Sequence, residues 1–276
     1  MNITKFAALS GHFGRDLNAN FSRIEAVLEE ASEIGSDFVV LPDASLGGYL
    51  PRFGDDENID LPPSLDPNGA EIQRLVKLAG AKVLCVGYCE LYEGKRYNSA
   101  VCVSGDGVLG RHRKVHQPAG ERSAYTPGDT FQPFDTPIGK VGLLIDYDKT
   151  FPEAARTLSK QGAKVLAILS AWPASLTNRA PRLVNDRQTR LFDLYDCARA
   201  AENQVVVVSA NQTGTFGRLT FLGRSKVVGP GGQILARTSA KAGLAVASID
   251  IDAEVSRARS VLHHLVELCP RAYIEP

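Results

Sequence analysis

Several short runs of consecutive apolar residues in this sequence end abruptly in an acidic or amide residue. Residues 141–145 are followed by Asp146, the run Phe-Val-Val-Leu-Pro ends at Asp43, and the β-branched run 205–210 ends at Asn211. Runs without a polar break are typical of strands that are buried on both faces. Stretches with helical apolar spacing separate them, and the order strand, helix, strand predicts parallel crossover units. The chain is therefore predicted to be an α/β protein.

The apolar periodicity and the turn residues together give the order of the elements. Helices are predicted over residues 16–34, 70–79, 152–161, 187–203 and 251–269. Strands are predicted over residues 3–9, 37–43, 82–91, 97–104, 107–111, 131–136, 141–145, 164–170, 205–210, 224–228, 234–238 and 244–251. Hairpins among the crossover units indicate either two sheets packed face to face or one large mixed sheet. Since no stretch is both long and low in apolar residues, residues 1–276 are predicted to form a single domain.

Composition argues against several classes of function. Apolar residues make up 44% of the 276 residues, the formal net charge is zero and the isoelectric point is near 7.0. A general nucleic-acid or anionic-membrane surface is therefore not expected. No apolar run is long enough to cross a bilayer, and the N-terminus lacks the apolar core of a secretory signal. Five scattered cysteines without such a signal favour a reducing compartment, so a cytoplasmic protein is expected.

Charged residues stand where three of the predicted strands end: Asp43, Lys114 and Asp146. Taken singly, each is most simply a turn or cap residue, because Asp favours turns. Taken together they suggest a site, since ligands of open α/β sheets bind at strand ends. Two carboxylates and one ammonium that converge there would shift one another's pKa. His112 and His116 flank Lys114, but no acidic ligand is close in sequence, so neither a metal nor another cofactor is expected.

The sequence resembles the nitrilase superfamily of carbon–nitrogen hydrolases over nearly its whole length. The matching segments are Gly35-Ser-Asp-Phe-Val-Val-Leu-Pro-Asp43, Gly48-Tyr49, Tyr97-Asn98-Ser99, Arg113-Lys114-Val-His116, Gly120-Glu121, Thr126-Pro127-Gly128, Gly142-Leu-Leu-Ile-Asp146-Tyr-Asp148, Phe151-Pro-Glu153, Trp172, Arg199-Ala200-Ala201-Glu202-Asn203 and Gly223-Arg224-Ser225. The resemblance implies a four-layer α-β-β-α sandwich that commonly dimerises through its outer helices. A homodimer or a larger homo-oligomer is therefore expected.

The resemblance also implies a catalytic set: a Glu base, a Lys that stabilises an oxyanion, a Cys nucleophile and often a second Glu. Lys114 matches the lysine and Glu121 the second glutamate. This sequence departs from the pattern at the base, where it has Asp43, and at the nucleophile, where it has Asp146. Tyr49 and Trp172 are candidate walls of the substrate pocket, with packing in the core as the alternative for both.

The two departures change the chemistry that the site can perform. A carboxylate is a poor nucleophile toward an amide, whereas a thiolate is a good one. Asp43 is also shorter than Glu by one methylene, roughly an ångström of reach. The usual covalent acyl-enzyme route is therefore not expected.

Three interpretations of the site remain open. In the first, Asp43 and Asp146 form an acid/base pair around Lys114, and Lys114 with the backbone N–H of Tyr147 polarises a carbonyl for hydrolysis, hydration, elimination or cyclisation. In the second, the pocket binds a small ligand or a partner without turnover, and Lys114 holds Asp146 as an ion pair. In the third, residue 146 has been changed to trap a substrate, which does not explain Asp43. The retained frame favours an enzyme that acts on a small amide, carbamoyl compound or nitrile.

Overall fold

Two mixed β-sheets form the centre of the computed structural model, which describes residues 3–54 and 60–273. The first half of the chain contributes β1 (Ile3–Gly11), α1 (Leu17–Glu33), β2 (Phe38–Val40), α2 (Ala70–Ala79), β3 (Val83–Tyr92), β4 (Lys95–Ser104) and β5 (Gly107–Arg113). The second half contributes β6 (Phe134–Thr136), β7 (Gly139–Ile145), α3 (Pro152–Lys160), β8 (Val165–Ser170), α4 (Arg187–Asn203), β9 (Val206–Phe216), β10 (Leu219–Leu222), β11 (Lys226–Val228), β12 (Ile234–Arg237), β13 (Gly243–Asp250) and α5 (Ile251–Ala258).

Each sheet is built around three parallel strands that come from one half of the chain. The strand order is β5-β4-β3-β2-β1 in the first sheet and β9-β8-β7-β6 in the second. Strands β1, β2 and β3 are parallel, as are β7, β8 and β9, whereas β3, β4 and β5 are antiparallel neighbours. β13 pairs with β1, and β11 pairs with β9 and β12. The parallel core and the added hairpins confirm the predicted mixed topology.

The two sheets are joined at one short edge and otherwise pack face to face. β1 and β9 pair through Ser10 with Asn211 and through Gly11 with Gln212, at the ends of both strands. Away from this edge, β2 and β3 lie against β8, and β4 lies against β7. Apolar residues of both sheets, such as Phe6, share one buried cluster between them. Of the two arrangements left open above, the chain therefore adopts the face-to-face pair.

Helices cover the outer face of each sheet and complete four layers. Ile24 of α1 and Leu75 of α2 pack on the outward residues of the first sheet, and Leu158 of α3 and Ala200 of α4 pack on those of the second. The α-β-β-α sandwich expected from the resemblance is confirmed. None of the helices in the described residues combines the length and the apolar character that crossing a bilayer requires.

Two local predictions about the chain were wrong. The last helix was predicted to reach residue 269 but ends at Ala258. Beyond it, Val261 and Val266 remain exposed, so a helix there would have no apolar face to bury, and burial of such a face supplies most helix stability. The strand predicted to end at residue 210 continues to Phe216 and turns through Gly217 into β10. Gly217 has a φ of 57°, which the tight turn requires.

Candidate functional site

Asp146 lies where β7 ends, in a sharp turn that precedes α3. Its backbone φ is 48°, in the left-handed region that few residues other than glycine adopt. A 3₁₀ turn over Asp146–Thr150 follows, and Pro152 begins the helix. Strained backbone of this kind persists where the surrounding structure holds it, often beside a site. The turn leaves the Asp146 side chain almost completely buried, at one wall of a cleft.

Lys114 directly follows β5 and contacts two carboxylates from other parts of the chain. Its Nζ donates to Glu121 Oε1 at 2.8 Å and lies 3.3 Å from Asp146 Oδ2. The ammonium is fully buried. Burial alone would lower the pKa of Lys114, but the carboxylates of Glu121, Asp146 and Asp43 together raise it above its ordinary value. Lys114 therefore remains an ammonium ion at neutral pH.

Asp43 lies behind this ion pair, three residues beyond β2. Its Oδ2 accepts a hydrogen bond from Asn98 Nδ2 at 3.0 Å, and its backbone carbonyl accepts one from Gln212. Gly87 on β3 permits the close approach, since a Cβ there would lie 2.7 Å from the Asp43 Cα. Burial raises the pKa of Asp43 to about 8, although the Lys114 ammonium opposes this shift. Asp43 is therefore mainly protonated at neutral pH.

Glu121 and Tyr49 lie on the inner side of the cluster. The Tyr49 hydroxyl donates a hydrogen bond to Glu121 Oε1, the oxygen that also accepts from Lys114. The Tyr49 ring is buried edge-on against Phe53 and Phe221. Burial raises the pKa of Glu121 above its ordinary value. Tyr49 thus lies beside the second glutamate and is absent from the residues that line the cleft within the described part of the chain.

The cleft beside Asp146 has a volume of about 540 Å³ and largely aromatic and aliphatic walls. Trp172 and Tyr147 both line it, and Trp172 Nε1 donates to Gln188 at 3.0 Å. The remaining lining residues are Phe53, Pro118, Thr150, Phe151, Pro173, Ala174, Leu176, Arg187, Gln188, Leu191 and Tyr195. Of the four charged residues of the predicted site, only Asp146 is among the lining residues that the structure describes. A ligand in the cleft therefore meets Asp146 before it meets Lys114.

Asp148 holds the Lys114 loop against the Asp146 turn, a role that the sequence did not reveal. Its carboxylate accepts hydrogen bonds from His112 Nε2 at 2.9 Å and from His116 Nδ1 at 3.1 Å. The backbone N–H groups of Val115, His116 and Ile145 donate to it as well. Burial would raise the pKa of Asp148, but the hydrogen bonds from the two histidines hold it well below its ordinary value. The pattern Asp-x-Asp directly after a buried strand was the available signal.

The two histidines are therefore explained by Asp148. The rings of His112 and His116 also stack on Phe131, and His116 stacks on Phe151. Within residues 3–54 and 60–273, no group of three or more His, Cys, Asp or Glu side chains is placed to hold a metal ion.

A second buried charge cluster lies next to the cleft. Asp196 of α4 accepts from Lys149 at 2.8 Å and from Lys226 at 2.6 Å. Both ammonium groups lie over the Phe192 ring, and Lys149 is also 5.1 Å from the Trp172 ring centre. Burial lowers the pKa of Lys149 to about 8, with Asp196 opposing and Lys226 adding to the shift. This cluster fixes the turn after Asp146 to α4.

The protein is therefore a four-layer α-β-β-α sandwich with a buried lysine and several carboxylates where its strands end. Comparison with known proteins then gives the family. A carbon-nitrogen hydrolase model matches residues 7–259. The chain belongs to the carbon-nitrogen hydrolase family.

Three similar proteins support this assignment. A nitrilase from Pyrococcus abyssi is 34% identical over 237 residues, which cover 84% of each chain. N-carbamoylputrescine amidase from Arabidopsis thaliana is 30% identical over 262 residues, covering 89% of this chain and 86% of the amidase. The crystal structure of a carbon-nitrogen hydrolase from Helicobacter pylori has a TM-score of 0.82 at 26% identity and covers 98% of this chain and 97% of the hydrolase.

Proposed function

We propose that the protein is an enzyme that acts on a small amide, carbamoyl compound or nitrile by acid/base chemistry, without a covalent intermediate. The observation that carries the proposal is the buried contact of Lys114 with Asp146, at 3.3 Å, beside a cleft that Asp146 lines. The compound class is supported by similar proteins that are named nitrilase and N-carbamoylputrescine amidase.

The position of Asp146 and the protonation of Asp43 suggest a role for each of these two residues. Asp146 lines the cleft, and its Oδ1 accepts no hydrogen bond from the described residues, so it is the base that takes a proton from water. The water oxygen then adds to the carbonyl carbon of the substrate. Asp43, whose pKa of about 8 keeps it protonated, is the acid for the leaving amine. Because Asp43 is buried behind Lys114 and Asp146, this proton transfer requires the Asp146 side chain to move aside.

Lys114 is assigned the charge that stabilises the developing oxyanion, together with the backbone N–H of Tyr147. In the conformation described, the lysine ammonium is engaged by Glu121 and Asp146 and does not line the cleft. A substrate carbonyl therefore contacts Lys114 only when the Asp146 side chain moves aside. The same observation favours a second candidate function, in which the cleft binds a small ligand without turnover.

Variants at residue 146 separate the two candidates. Amides, carbamoyl compounds and nitriles are screened with the parent, Asp146→Ala, Asp146→Cys and the exposed control Asp252→Ala. For an acid/base enzyme, the parent is active, Asp146→Ala loses on the order of 100-fold or more, and the control is unchanged.

Two results would contradict the enzyme proposal. An inactive parent with an active Asp146→Cys variant indicates a disabled hydrolase that binds without turnover. If Asp146→Ala is as active as the parent, Asp146 has no catalytic role.

A further inference from the structure

The site buries more negative than positive charge. Glu121 and Asp146 both contact the single ammonium of Lys114, and Asp43, which is mainly protonated at neutral pH, lies behind them. One oxygen of each carboxyl group, Asp43 Oδ1, Glu121 Oε2 and Asp146 Oδ1, accepts no hydrogen bond from the described residues. Buried polar atoms in folded proteins almost always have a partner, because an unpaired one has lost its hydration. Because Glu121 and Asp146 share one cation and each keeps an oxygen without a partner, a further positive group is indicated here.

The other basic side chains of this region already contact other carboxylates. His112 and His116 contact Asp148, and Lys149 is held at 2.8 Å by Asp196. Asp146 raises the pKa of Lys149 less than Asp196 does. The missing positive charge is therefore not supplied by rearranging a neighbouring side chain.

The cleft has the lining that a small cation requires. Asp146 and Arg187 are its charged lining residues within the described chain. Asp146 is almost completely buried, whereas Arg187 is exposed, where solvent and salt screen its charge. The rings of Tyr147, Trp172 and Tyr195 form much of the wall, and aromatic faces attract cations. The inner end of the cleft thus combines a carboxylate oxygen without a partner with aromatic walls.

We propose that the cleft binds a small molecule whose inner end is a compact cationic nitrogen group, hydrogen-bonded to Asp146. An amidinium or guanidinium group fits best, because it has the planar carbon–nitrogen geometry of an amide and adds a positive charge and further N–H donors. This inference rests on the function proposed above and deepens it, since the compound acted on would carry this cationic group in addition to its amide, carbamoyl or nitrile carbon.

Benzamidinium and benzamide form a matched pair of probes, equal in shape and different in charge. Their dissociation constants for the parent are measured by calorimetry at low salt, beside those for Asp146→Asn and for the exposed control Asp252→Asn. We expect benzamidinium to bind the parent about tenfold or more tighter than benzamide, as a charge-assisted hydrogen bond does. In Asp146→Asn the preference should fall to about twofold or less, whereas Asp252→Asn should retain it, since that exposed carboxylate is not among the residues that line the cleft.

The result in the parent decides the proposal even if Asp146→Asn does not fold. Benzamide that binds the parent as tightly as benzamidinium, or a preference that persists undiminished in folded Asp146→Asn, would overturn it. Because binding is measured without turnover, the two proposals fail separately. If hydrolysis depends on Asp146 but the parent does not prefer benzamidinium, only this inference is overturned. If the parent is inactive but prefers benzamidinium, only the proposal of an enzyme is overturned.

Discussion

Replacing Asp43 by Asn tests the electrostatics of the site directly. Burial raises the pKa of Asp43 to about 8 in the folded protein, whereas an Asp in an unfolded chain titrates near 4. Between these values the folded protein keeps a proton that the unfolded chain has released. Stability therefore decreases as the pH rises through this interval, because the unfolded state binds fewer protons than the native state.

The magnitude follows from the same two pKa values. At about 1.36 kcal/mol for each pH unit, the contribution of Asp43 falls by on the order of 5 kcal/mol between pH 4 and pH 8. Asn at residue 43 cannot ionise, and its carbonyl oxygen still accepts the hydrogen bond that Asn98 donates. The unfolding free energy of Asp43→Asn should therefore depend less on pH than that of the parent, and near pH 8 the variant should be the more stable protein.

The assay is urea denaturation at several pH values between about 5 and about 8, followed by the fluorescence of Trp172. The exposed variant Asp252→Asn is the control, and its pH dependence should follow that of the parent. Parent and Asp43→Asn curves that stay parallel over this range would refute the reasoning, because they would show that the buried Asp43 carboxyl does not hold a proton at neutral pH.

Two further predictions concern the groups that hold the site together. Lys114→Met should lower the unfolding free energy by about 3–5 kcal/mol, because it leaves two carboxylate partners without their shared cation. The exposed control Lys164→Met should lower it by less than about 1 kcal/mol. Equal losses for the two variants in urea denaturation would contradict this prediction. Asp148→Ala should destabilise by about 3 kcal/mol, because several buried N–H groups lose their acceptor, among them that of His116. A loss within the error of the exposed Asp252→Ala control would show that water replaces the carboxylate.

Apolar periodicity was enough to predict most of the layers, because each layer buries residues at the spacing of its own element. The helices α1 to α4 and the strands of the parallel cores lie where the spacing placed them, except that β9 continues beyond residue 210 to Phe216. The packing of one sheet on the other could not be predicted in this way. Strands such as β8 are buried on both faces, so their residues do not alternate and the inward face is not visible in the sequence.

Residues of the site that directly follow a strand could be predicted from the sequence. Contacts between residues inside other elements, far apart in the chain, could not. Lys114 and Asp146 are 32 residues apart, yet both stand at strand ends, and the structure brings them to 3.3 Å. Asp196 lies inside α4 and pairs with lysines 47 and 30 residues away, a relation that no local pattern encodes. Tyr49 was placed near the site by its motif, but its contact with Glu121 depends on how the loop packs.

The contact of Asp146 with Lys114 connects the two proposals. In the conformation described, the lysine that would polarise a substrate is held by the residue that lines the cleft. A cationic ligand on Asp146 would compensate that carboxylate and weaken its attraction for Lys114, because two cations would then share one anion. A neutral amide offers no such compensation and leaves Lys114 bound. If the inferred cation binds, its arrival therefore favours release of Lys114 toward the cleft, and the charge of the ligand becomes part of how the site selects what it acts on.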